Sequence, residues 1–262
     1  MSLKIVTWNV NSVRSRLNHL LDFIQEHNPD IICLQELKCQ TEKFPFEELN
    51  HLPYNFYVKG EKTYNGVAIL SKLKADEVKY DFLDNPICDQ ARFIECSFNS
   101  LIGYIRVICL YAPNGGEVGS DKFHNKLKFY DAFTDYINSI KSFEEKLFIA
   151  ADFNIAPFDI DVHAPDKFRG KTCFTLEEQI KLRTILNSDF VDNYRIMHPN
   201  SNEFSWWDYR AGSFEQNLGM RIDSIISSSN AIANLISCTI DYPTRTKNKP
   251  SDHAPVIAEY KI

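Results

Sequence analysis

The chain has 262 residues, of which 44% are hydrophobic and 24% are charged, and its formal net charge is −6. These proportions are typical of a globular protein that can bury a full core. The acidic balance argues against a protein that coats nucleic acid non-specifically, because that mode of binding neutralises phosphates with many basic side chains. It does not exclude an enzyme of nucleic acids, since acidic metal ligands lower the formal charge.

Seven cysteines occur without a CxxC pair or a zinc-like spacing, and Cys33 and Cys109 lie in apolar runs as small buried residues. The first residues, MSLKIVTWNV, enter a strand without a signal peptide, and no apolar run is long enough to span a bilayer. We therefore expect a cytoplasmic protein with no membrane association. No linker or low-complexity tract interrupts the chain, which predicts one domain over residues 1–262.

The pattern of apolar residues predicts an alternation of strands and helices. A first helix follows from Leu17 to Ile24, a second lies near 123–141, and a third opens at Thr175, where Glu178 completes a capping-box spacing. This order favours an α/β protein with two packed sheets and helices outside them. Strand-like runs lie at 3–8, 31–35, 66–71, 92–98, 104–111, 147–151, 222–227 and 254–260.

Seven short motifs place polar side chains at or near the ends of these strands: TWNVN, LQELK, YNGVAILS, LYAPNGG, ADFN, RIDSI and SDHAP. They combine hard oxygen ligands for a divalent cation with neutral donors suited to a phosphate, which indicates a metal-dependent phosphodiesterase. The residues concerned are Asn9, Asn11, Glu36, Tyr111, Asp152, Asn154, Asp223, Asp252 and His253.

Two of these motifs suggest specific chemistry. Asp152 and Asn154 are two residues apart and face the same way if extended, so the aspartate could activate a water while the amide donates to a phosphate oxygen. His253 needs a group that holds its second ring nitrogen, and Asp223 is a candidate.

Each of these signals has a simpler interpretation. A glutamate at a strand end, such as Glu36, is usually solvated, Asp223 could form a buried salt bridge, and a lone histidine is more often structural. The basic residues between Lys167 and Lys171 are interpreted mainly as solvated surface. Joint occurrence of the motifs, in this order, favours the enzymatic interpretation.

These motifs resemble the bacterial exodeoxyribonuclease III and apurinic/apyrimidinic (AP) endonuclease family, within the endonuclease/exonuclease/phosphatase superfamily. The likeness runs from KIVTWNVNSVRSRL to KPSDHAPVIAEY. WN, QE and SDH are shared across the superfamily, whereas NVNSVR, LYAPNGG, FTLEE and FSWWDYR are narrower. The resemblance implies a DNase I-like four-layer α/β sandwich, made of two mixed sheets flanked by helices.

The resemblance also implies roles for individual residues. Glu36 is the main ligand of Mg²⁺, for which Mn²⁺ could substitute, and Asp223 orients His253, which contacts the scissile phosphate with Asn154 and Tyr111. The implied metal set is Asn9, Glu36, Asp152, Asn154, Asp252 and His253. The implied DNA contacts are Asn11, Arg14, Lys38, Tyr64, Asn114, Trp206, Arg210, Met220 and Ile222.

We therefore expect a monomeric enzyme that hydrolyses the phosphodiester 5′ to an abasic site in double-stranded DNA. Exonuclease activity from 3′ to 5′ and removal of 3′ blocks are implied as well. Glu117 and Met220 depart from residues that some relatives carry. An inositol-phosphate phosphatase, a lipid phosphodiesterase and a DNA-binding scaffold without catalysis are the alternatives.

Overall fold

The computed structural model describes residues 2–100, 103–141 and 145–261. Twelve of its strands form two six-stranded sheets, and two short strands form a separate hairpin-like pair. In chain order the strands are β1 (Ser2–Asn9), β2 (Ile31–Gln35), β3 (Asn55–Lys59), β4 (Val67–Ser71), β5 (Glu77–Lys79), β6 (Phe93–Ser100), β7 (Gly103–Tyr111), β8 (Lys146–Asp152), β9 (Phe190–Asp192), β10 (Trp206–Trp207), β11 (Gly219–Met220), β12 (Asp223–Ser228), β13 (Leu235–Ile240) and β14 (Val256–Lys261).

Both large sheets are mixed. The first has the order β13-β14-β1-β2-β4-β3, and the second has the order β5-β6-β7-β8-β12-β9. Each contains one parallel pair, β1 with β2 and β7 with β8, and all their other pairs are antiparallel. The connection between the strands of each parallel pair is long and contains one long helix, as parallel pairing requires.

Three long helices flank the sheets. The second long helix begins after Ser120, whose side chain caps it, and the third begins at the predicted capping box, in which Thr175 and Glu178 bond to each other's backbone N–H groups. In chain order the helices are α1 (Leu17–His27), α2 (Phe46–Leu49), α3 (Asp121–Ile140), α4 (Pro165–Phe168), α5 (Leu176–Asn187), α6 (Asn193–Met197), α7 (Ser229–Ile232) and α8 (Tyr242–Arg245).

The apolar core has three main layers, which together account for a four-layer sandwich. One cluster lies between the two sheets, with Ile5, Val107 and Ile225 among its members. A second packs the α3 and α5 stripes, including Phe133 and Ile185, on the outer face of the second sheet. A third packs α1 on the outer face of the first sheet. The predicted fold class is therefore confirmed.

All eight predicted strands are present, and all eight occupy inner positions of the two sheets. The four strands of these sheets that the sequence did not predict are their edges, namely β3, β5, β9 and β13. An edge strand exposes one row of backbone groups and part of its side chains, as β13 does, so it lacks the continuous apolar run of a covered strand. Short helices such as α4 and α8 were also not predicted.

In the described ranges 2–100, 103–141 and 145–261, no helix is long and apolar enough to cross a membrane. The single domain over residues 1–262 stays a prediction.

Candidate active site

Strand register aligns three of the predicted site residues at one end of the second sheet. Tyr111 at the end of β7 pairs with Asp152 at the end of β8, and Asp152 pairs with Asp223 at the start of β12. Because paired residues of neighbouring strands point to the same face, their side chains lie side by side. The site is thus built on rigid strand ends.

The first sheet supplies the opposing side. Asn9 ends β1 beside Gln35 of β2, and Glu36 follows directly with a φ of 53°, in the left-handed region that few residues other than glycine adopt. This turn directs Glu36 toward the second sheet, where its Oε1 accepts a hydrogen bond of 2.6 Å from the Tyr111 hydroxyl. The two sheets therefore meet through a polar contact at this end.

His253 is buried and held by a carboxylate, as predicted. Its Nδ1 lies 2.8 Å from Oδ2 of Asp223, which also accepts a 2.7 Å hydrogen bond from the Ser205 hydroxyl. Burial alone lowers the pKa of the His253 imidazole, but the charges of Asp223 and Asp152 outweigh it and raise this pKa to about 10. In this arrangement the imidazole carries a proton at neutral pH.

Asp152 lies on the other side of the imidazole, with Oδ2 4.0 Å from His253 Nε2. Oδ2 accepts a hydrogen bond of 2.9 Å from the Asn9 side chain, and Oδ1 accepts one of 2.9 Å from the Asn154 backbone. Burial and then the charge of Asp223 raise the pKa of the Asp152 carboxyl to about 7. A carboxyl with such a pKa can exchange a proton near neutral pH.

A second polar network surrounds Glu36 and Asp252. Lys38 Nζ lies 2.8 Å from Glu36 Oε2 and donates to Asn11 Oδ1 at 2.6 Å. The Asn11 amide in turn donates to Asp252 Oδ1 at 2.8 Å, and the indole of Trp206 donates to Asp252 Oδ2 at 3.1 Å. Burial opposes ionisation of Glu36, but hydrogen bonds from Lys38 and Tyr111 prevail and lower its pKa.

A cavity of about 480 Å³ opens above these groups. One wall is polar, and the other belongs to a separate apolar cluster that includes Met220, Ile222 and the packed ring of Trp206. Backbone pairing of Trp206 with both Met220 and His253 joins this wall to the catalytic candidates. Ten predicted residues line the cavity: Glu36, Tyr111, Asn114, Asp152, Asn154, Trp206, Met220, Ile222, Asp252 and His253.

The remaining predicted residues lie beside the cavity or on the surface. Asn9 is fully buried beneath Asp152. Its amide donates to that carboxylate and its Oδ1 accepts a hydrogen bond of 3.0 Å from the Asn11 backbone N–H, and its assignment as a metal ligand stays a prediction. Tyr64, which is 68% exposed, lines a neighbouring cavity that shares Tyr111 and Asn114 with the first. Arg14 is exposed, and Arg210 pairs with Asp208 at 2.7 Å on the surface.

Four cavity residues were not predicted: Phe168, Lys171, Thr172 and Cys173. Lys171 is exposed as expected for a surface lysine, yet it also borders the cavity. Phe168 ends α4, and the other three lie in the connection between α4 and α5, which has no strand-end pattern. Their one sequence signal is the adjoining FTLEE motif, because the capping box at Thr175 fixes where this connection meets α5.

The donor set suits a divalent cation. The carboxylates of Asp152 and Asp223 offer oxygens within 4.8 Å of each other and of the His253 ring. Because the protonated ring has no free nitrogen, the assignment of His253 itself as a metal ligand stays a prediction. Asp223 Oδ1 is buried and has no hydrogen-bond partner among the described residues, and the carboxylates of Glu36 and Asp252 face the same cavity. Such crowded carboxylate oxygens favour a hard cation, which would offset their mutual repulsion.

Comparison with known proteins identifies a family whose sequence profile this chain matches. Residues 6–253 match the profile of the "Endonuclease/Exonuclease/phosphatase family". Exodeoxyribonuclease III of Haemophilus influenzae is 33% identical over 267 aligned residues, which cover 99% of this chain and 100% of that protein.

Two solved structures are similar over the same length. The 3′ phosphatase NExo from Neisseria, bound to a product DNA hairpin, has a TM-score of 0.95 at 36% identity and covers 99% of this chain and 100% of its own. An AP endonuclease from Archaeoglobus fulgidus has a TM-score of 0.94 at 35% identity, with coverage of 99% and 100%. The chain therefore belongs to the endonuclease/exonuclease/phosphatase family and, within it, to the exodeoxyribonuclease III and AP endonuclease group.

Proposed function

We propose that this protein hydrolyses the phosphodiester 5′ to an abasic site in double-stranded DNA. It would leave a 3′-hydroxyl and a 5′-deoxyribose phosphate, and the same site would remove nucleotides or blocking groups from 3′ ends. The observation that carries the proposal is the cavity in which Asp152 and His253, the latter held from behind by Asp223, face an apolar wall. The polar side suits phosphate chemistry, and the apolar side suits a sugar without a base.

The attack on phosphorus is assigned to a water molecule positioned by Asp152. Its pKa of about 7 lets the carboxylate take a proton from water near neutral pH. Hydrogen bonds from Asn9 and from the Asn154 backbone fix both carboxylate oxygens, so the base has one orientation. Fixed orientation lowers the entropic cost of reaching the transition state.

Stabilisation of the phosphate is assigned to three donors around the cavity. His253, protonated and held by Asp223, offers Nε2, and Asn154 offers a side-chain amide. Tyr111 offers its hydroxyl in place of the hydrogen bond that it donates to Glu36 Oε1. Negative charge grows on the phosphate oxygens in the transition state, and preorganised donors in a site that excludes water act most strongly there. We therefore assign these donors mainly to kcat.

The metal is proposed to be Mg²⁺, held chiefly by Glu36 with Asp252 nearby and Asn9 and Asn11 beside it. When bound, the ion polarises the phosphate and stabilises the leaving oxygen. Lys38 neutralises part of the Glu36 charge, which argues that further carboxylates of the cavity take part in holding the ion. Mn²⁺ has the same preference for oxygen ligands and is the proposed substitute.

Selectivity for abasic sites is assigned to the wall formed by Trp206, Met220 and Ile222. A sugar without a base is flipped out of the duplex at low cost, and an intact nucleotide is too large for a small apolar recess. The DNA contacts expected of Asn11, Arg14, Lys38, Tyr64, Asn114 and Arg210 remain part of this proposal. The DNA hairpin bound to the similar NExo structure, and the names of the other relatives, support DNA as the substrate.

The test is nicking of a duplex with one tetrahydrofuran abasic analogue, compared with the same intact duplex. We expect Mg²⁺-dependent nicking on the 5′ side of the analogue, abolished by EDTA. Release of phosphate from an inositol phosphate at a higher rate would support the phosphatase alternative instead. Binding of the duplex without any nicking would support the non-catalytic scaffold.

Monomeric state and cytoplasmic location are also proposals. Gel filtration with light scattering should give a mass near 30.4 kDa. Cell fractionation of the tagged protein tests the location.

A further inference from the structure

Lys126, on the inner side of α3, is a fully buried lysine directly behind the cavity wall. Its ammonium donates to Glu178 Oε1 at 2.5 Å, to the Asn154 carbonyl at 2.8 Å and to the Asn114 carbonyl at 3.0 Å. These contacts use all three of its hydrogens. Lysine is almost never fully buried without such partners, so the burial of Lys126 depends on these three hydrogen bonds.

Glu178, on α5, is equally buried and extends the same network. Its Oε1 also accepts a hydrogen bond of 3.1 Å from the Cys173 backbone N–H. Its Oε2 accepts hydrogen bonds from the backbone N–H and the hydroxyl of Thr175, at 3.0 and 2.8 Å. The pair thus holds the backbone of three residues that line the cavity, Asn114, Asn154 and Cys173.

Two of these three residues have backbone conformations that need support. Asn154 has a φ of 51° and Cys173 a φ of 68°, both in the left-handed region. Side-chain-bearing residues stay in this region only where their surroundings determine the backbone. The Lys126 and Glu178 contacts provide that constraint, one at each residue.

The backbone position of Asn154 also sets the direction of its side chain. Its Nδ2 donates to the Ala112 carbonyl at 3.0 Å, and its Oδ1 accepts a hydrogen bond of 3.1 Å from Asn114 Nδ2. Because Lys126 binds the carbonyls of both asparagines, it fixes the distance between them. A shift of either carbonyl would break the contact between the two amides.

A purely structural role, in which Lys126 and Glu178 only join α3 to α5, does not explain their hydrogen bonds to cavity residues. Asp131 and Lys181 already join these helices through an ion pair of 2.5 Å on the surface, and neither residue lines the cavity. A buried ion pair is weak support for stability, because well-packed apolar side chains often stabilise as much. The hydrogen bonds of Lys126 and Glu178 to cavity residues need another explanation.

We propose that Lys126 and Glu178 form a positioning pair that aims the Asn154 and Asn114 amides at the substrate phosphate. The proposal rests on the proposed function, since it assigns these amides to phosphate binding. The pair touches no substrate and acts through the two asparagines. Its loss should therefore lower kcat, where the amides act, and leave KM for the abasic duplex nearly unchanged.

The first experiment compares Lys126→Met with Lys181→Met, which removes an ion pair between the same helices away from the cavity. Misplacement of a reacting or binding group by about 1 Å can cost about 10²-fold in rate. We expect a loss of that order in kcat for Lys126→Met, with KM within about twofold, and wild-type kcat for Lys181→Met. Because Lys126→Met leaves Glu178 unpaired, the double variant Lys126→Met/Glu178→Gln is measured in parallel.

A double-mutant cycle with Asn154→Ala separates positioning from general damage. If Lys126 acts through the Asn154 amide, Lys126→Met should reduce kcat much less in the Asn154→Ala background than in the wild type. Equal losses in both backgrounds would overturn the proposal. So would wild-type kcat in a folded Lys126 variant, or an effect on KM alone.

A readout in the free protein distinguishes failure of this proposal from failure of the proposed function. The Asn154 side-chain amide signals in an NMR spectrum are identified by their loss in Asn154→Ala. We expect them to shift or broaden in Lys126→Met/Glu178→Gln and to stay unchanged in Lys181→Met. Unchanged Asn154 signals in Lys126→Met/Glu178→Gln would overturn the positioning role, whatever the wild-type protein does to DNA. If these signals shift but the wild-type protein does not nick the abasic duplex, only the proposed function is overturned.

Discussion

Asp223→Asn removes one charge from the candidate site with little change of shape. Asp223 Oδ2 accepts hydrogen bonds from His253 and Ser205, and Oδ1 has no partner among the described residues. The new amide can keep its oxygen toward His253 and place its NH₂ where Oδ1 now lies. This orientation brings no two donors together, so we expect the protein to fold. Its free energy of unfolding should fall by about 1–3 kcal/mol, because the new NH₂ group is buried without a hydrogen-bond partner.

Two consequences follow for the titration of the site. Asp223 is the strongest of the charges that raise the pKa of His253 to about 10, so this pKa should fall in Asp223→Asn. The pKa of Asp152 should fall as well, because Asp223 contributes to raising it to about 7. An imidazole that carries its proton less firmly stabilises less negative charge on the phosphate.

The expected rate follows from comparison with other histidine–carboxylate pairs. Loss of the carboxylate in a Ser-His-Asp triad costs about 10⁴-fold, largely because the histidine adopts the wrong tautomer. Here the amide oxygen can still accept from Nδ1–H, so the tautomer is kept and the charge alone is lost. We expect kcat for the abasic duplex to fall about 10²–10³-fold, the range for one lost electrostatic contact.

The assay is single-turnover nicking of the abasic duplex in Mg²⁺, with an NMR titration of the His253 ring in metal-free protein. Asp131→Asn is the matched control, since it makes the same charge change on the surface, where Asp131 pairs with Lys181. A rate within about threefold of wild type, or an unchanged pKa of His253, would refute the reasoning.

Three further predictions concern stability, metal and substrate. Arg221→Met should lower the free energy of unfolding by about 3–5 kcal/mol and the Tm by about 6–20 °C, because it breaks two buried ion pairs. Asp161 keeps a second arginine, Arg195, but Asp192 loses its arginine partner. Arg169→Met, which breaks an exposed pair, should change the free energy of unfolding by less than about 1 kcal/mol in thermal melts. Glu36→Gln should raise the Mg²⁺ concentration for half-maximal nicking by about 10²-fold or more, and an unchanged Mg²⁺ titration would contradict its role as a ligand. Met220→Ala should lower the ratio of kcat/KM for abasic over intact duplex by about tenfold, and an unchanged ratio would remove this side chain from the selectivity wall.

Much of the fold followed from local patterns. The inner strands carry continuous apolar runs because helices or the other sheet cover both of their faces, and the capping box at Thr175 follows from two residues at a fixed spacing. The edge strands β3, β5, β9 and β13 lack such runs, because β3, β5 and β13 leave part of their side chains exposed and β9 has only three residues. Their position was therefore not readable from local periodicity.

The residues of the candidate site also divide into those that a local sequence pattern indicates and those that it does not. Residues at strand ends, such as Glu36 and Asp152, carried a signal because a polar side chain interrupts an apolar run. Cys173 and Lys171 carried no signal beyond the adjoining FTLEE motif, because the fold of one connection brings them to the cavity. Lys126 looked like an ordinary helix lysine, and only its surroundings distinguish it from the exposed lysines of the same helix.

The sequence alone determined which chemical groups the site contains and where the inner strands and long helices lie along the chain. Those properties depend on residue types and on spacings within a few residues. Tertiary structure alone decided that Tyr111, Asp152 and Asp223 stand in register, and that Lys126 and Glu178 meet behind them. Such contacts join residues separated by tens of positions, so they arise only when the two sheets and their helices pack together.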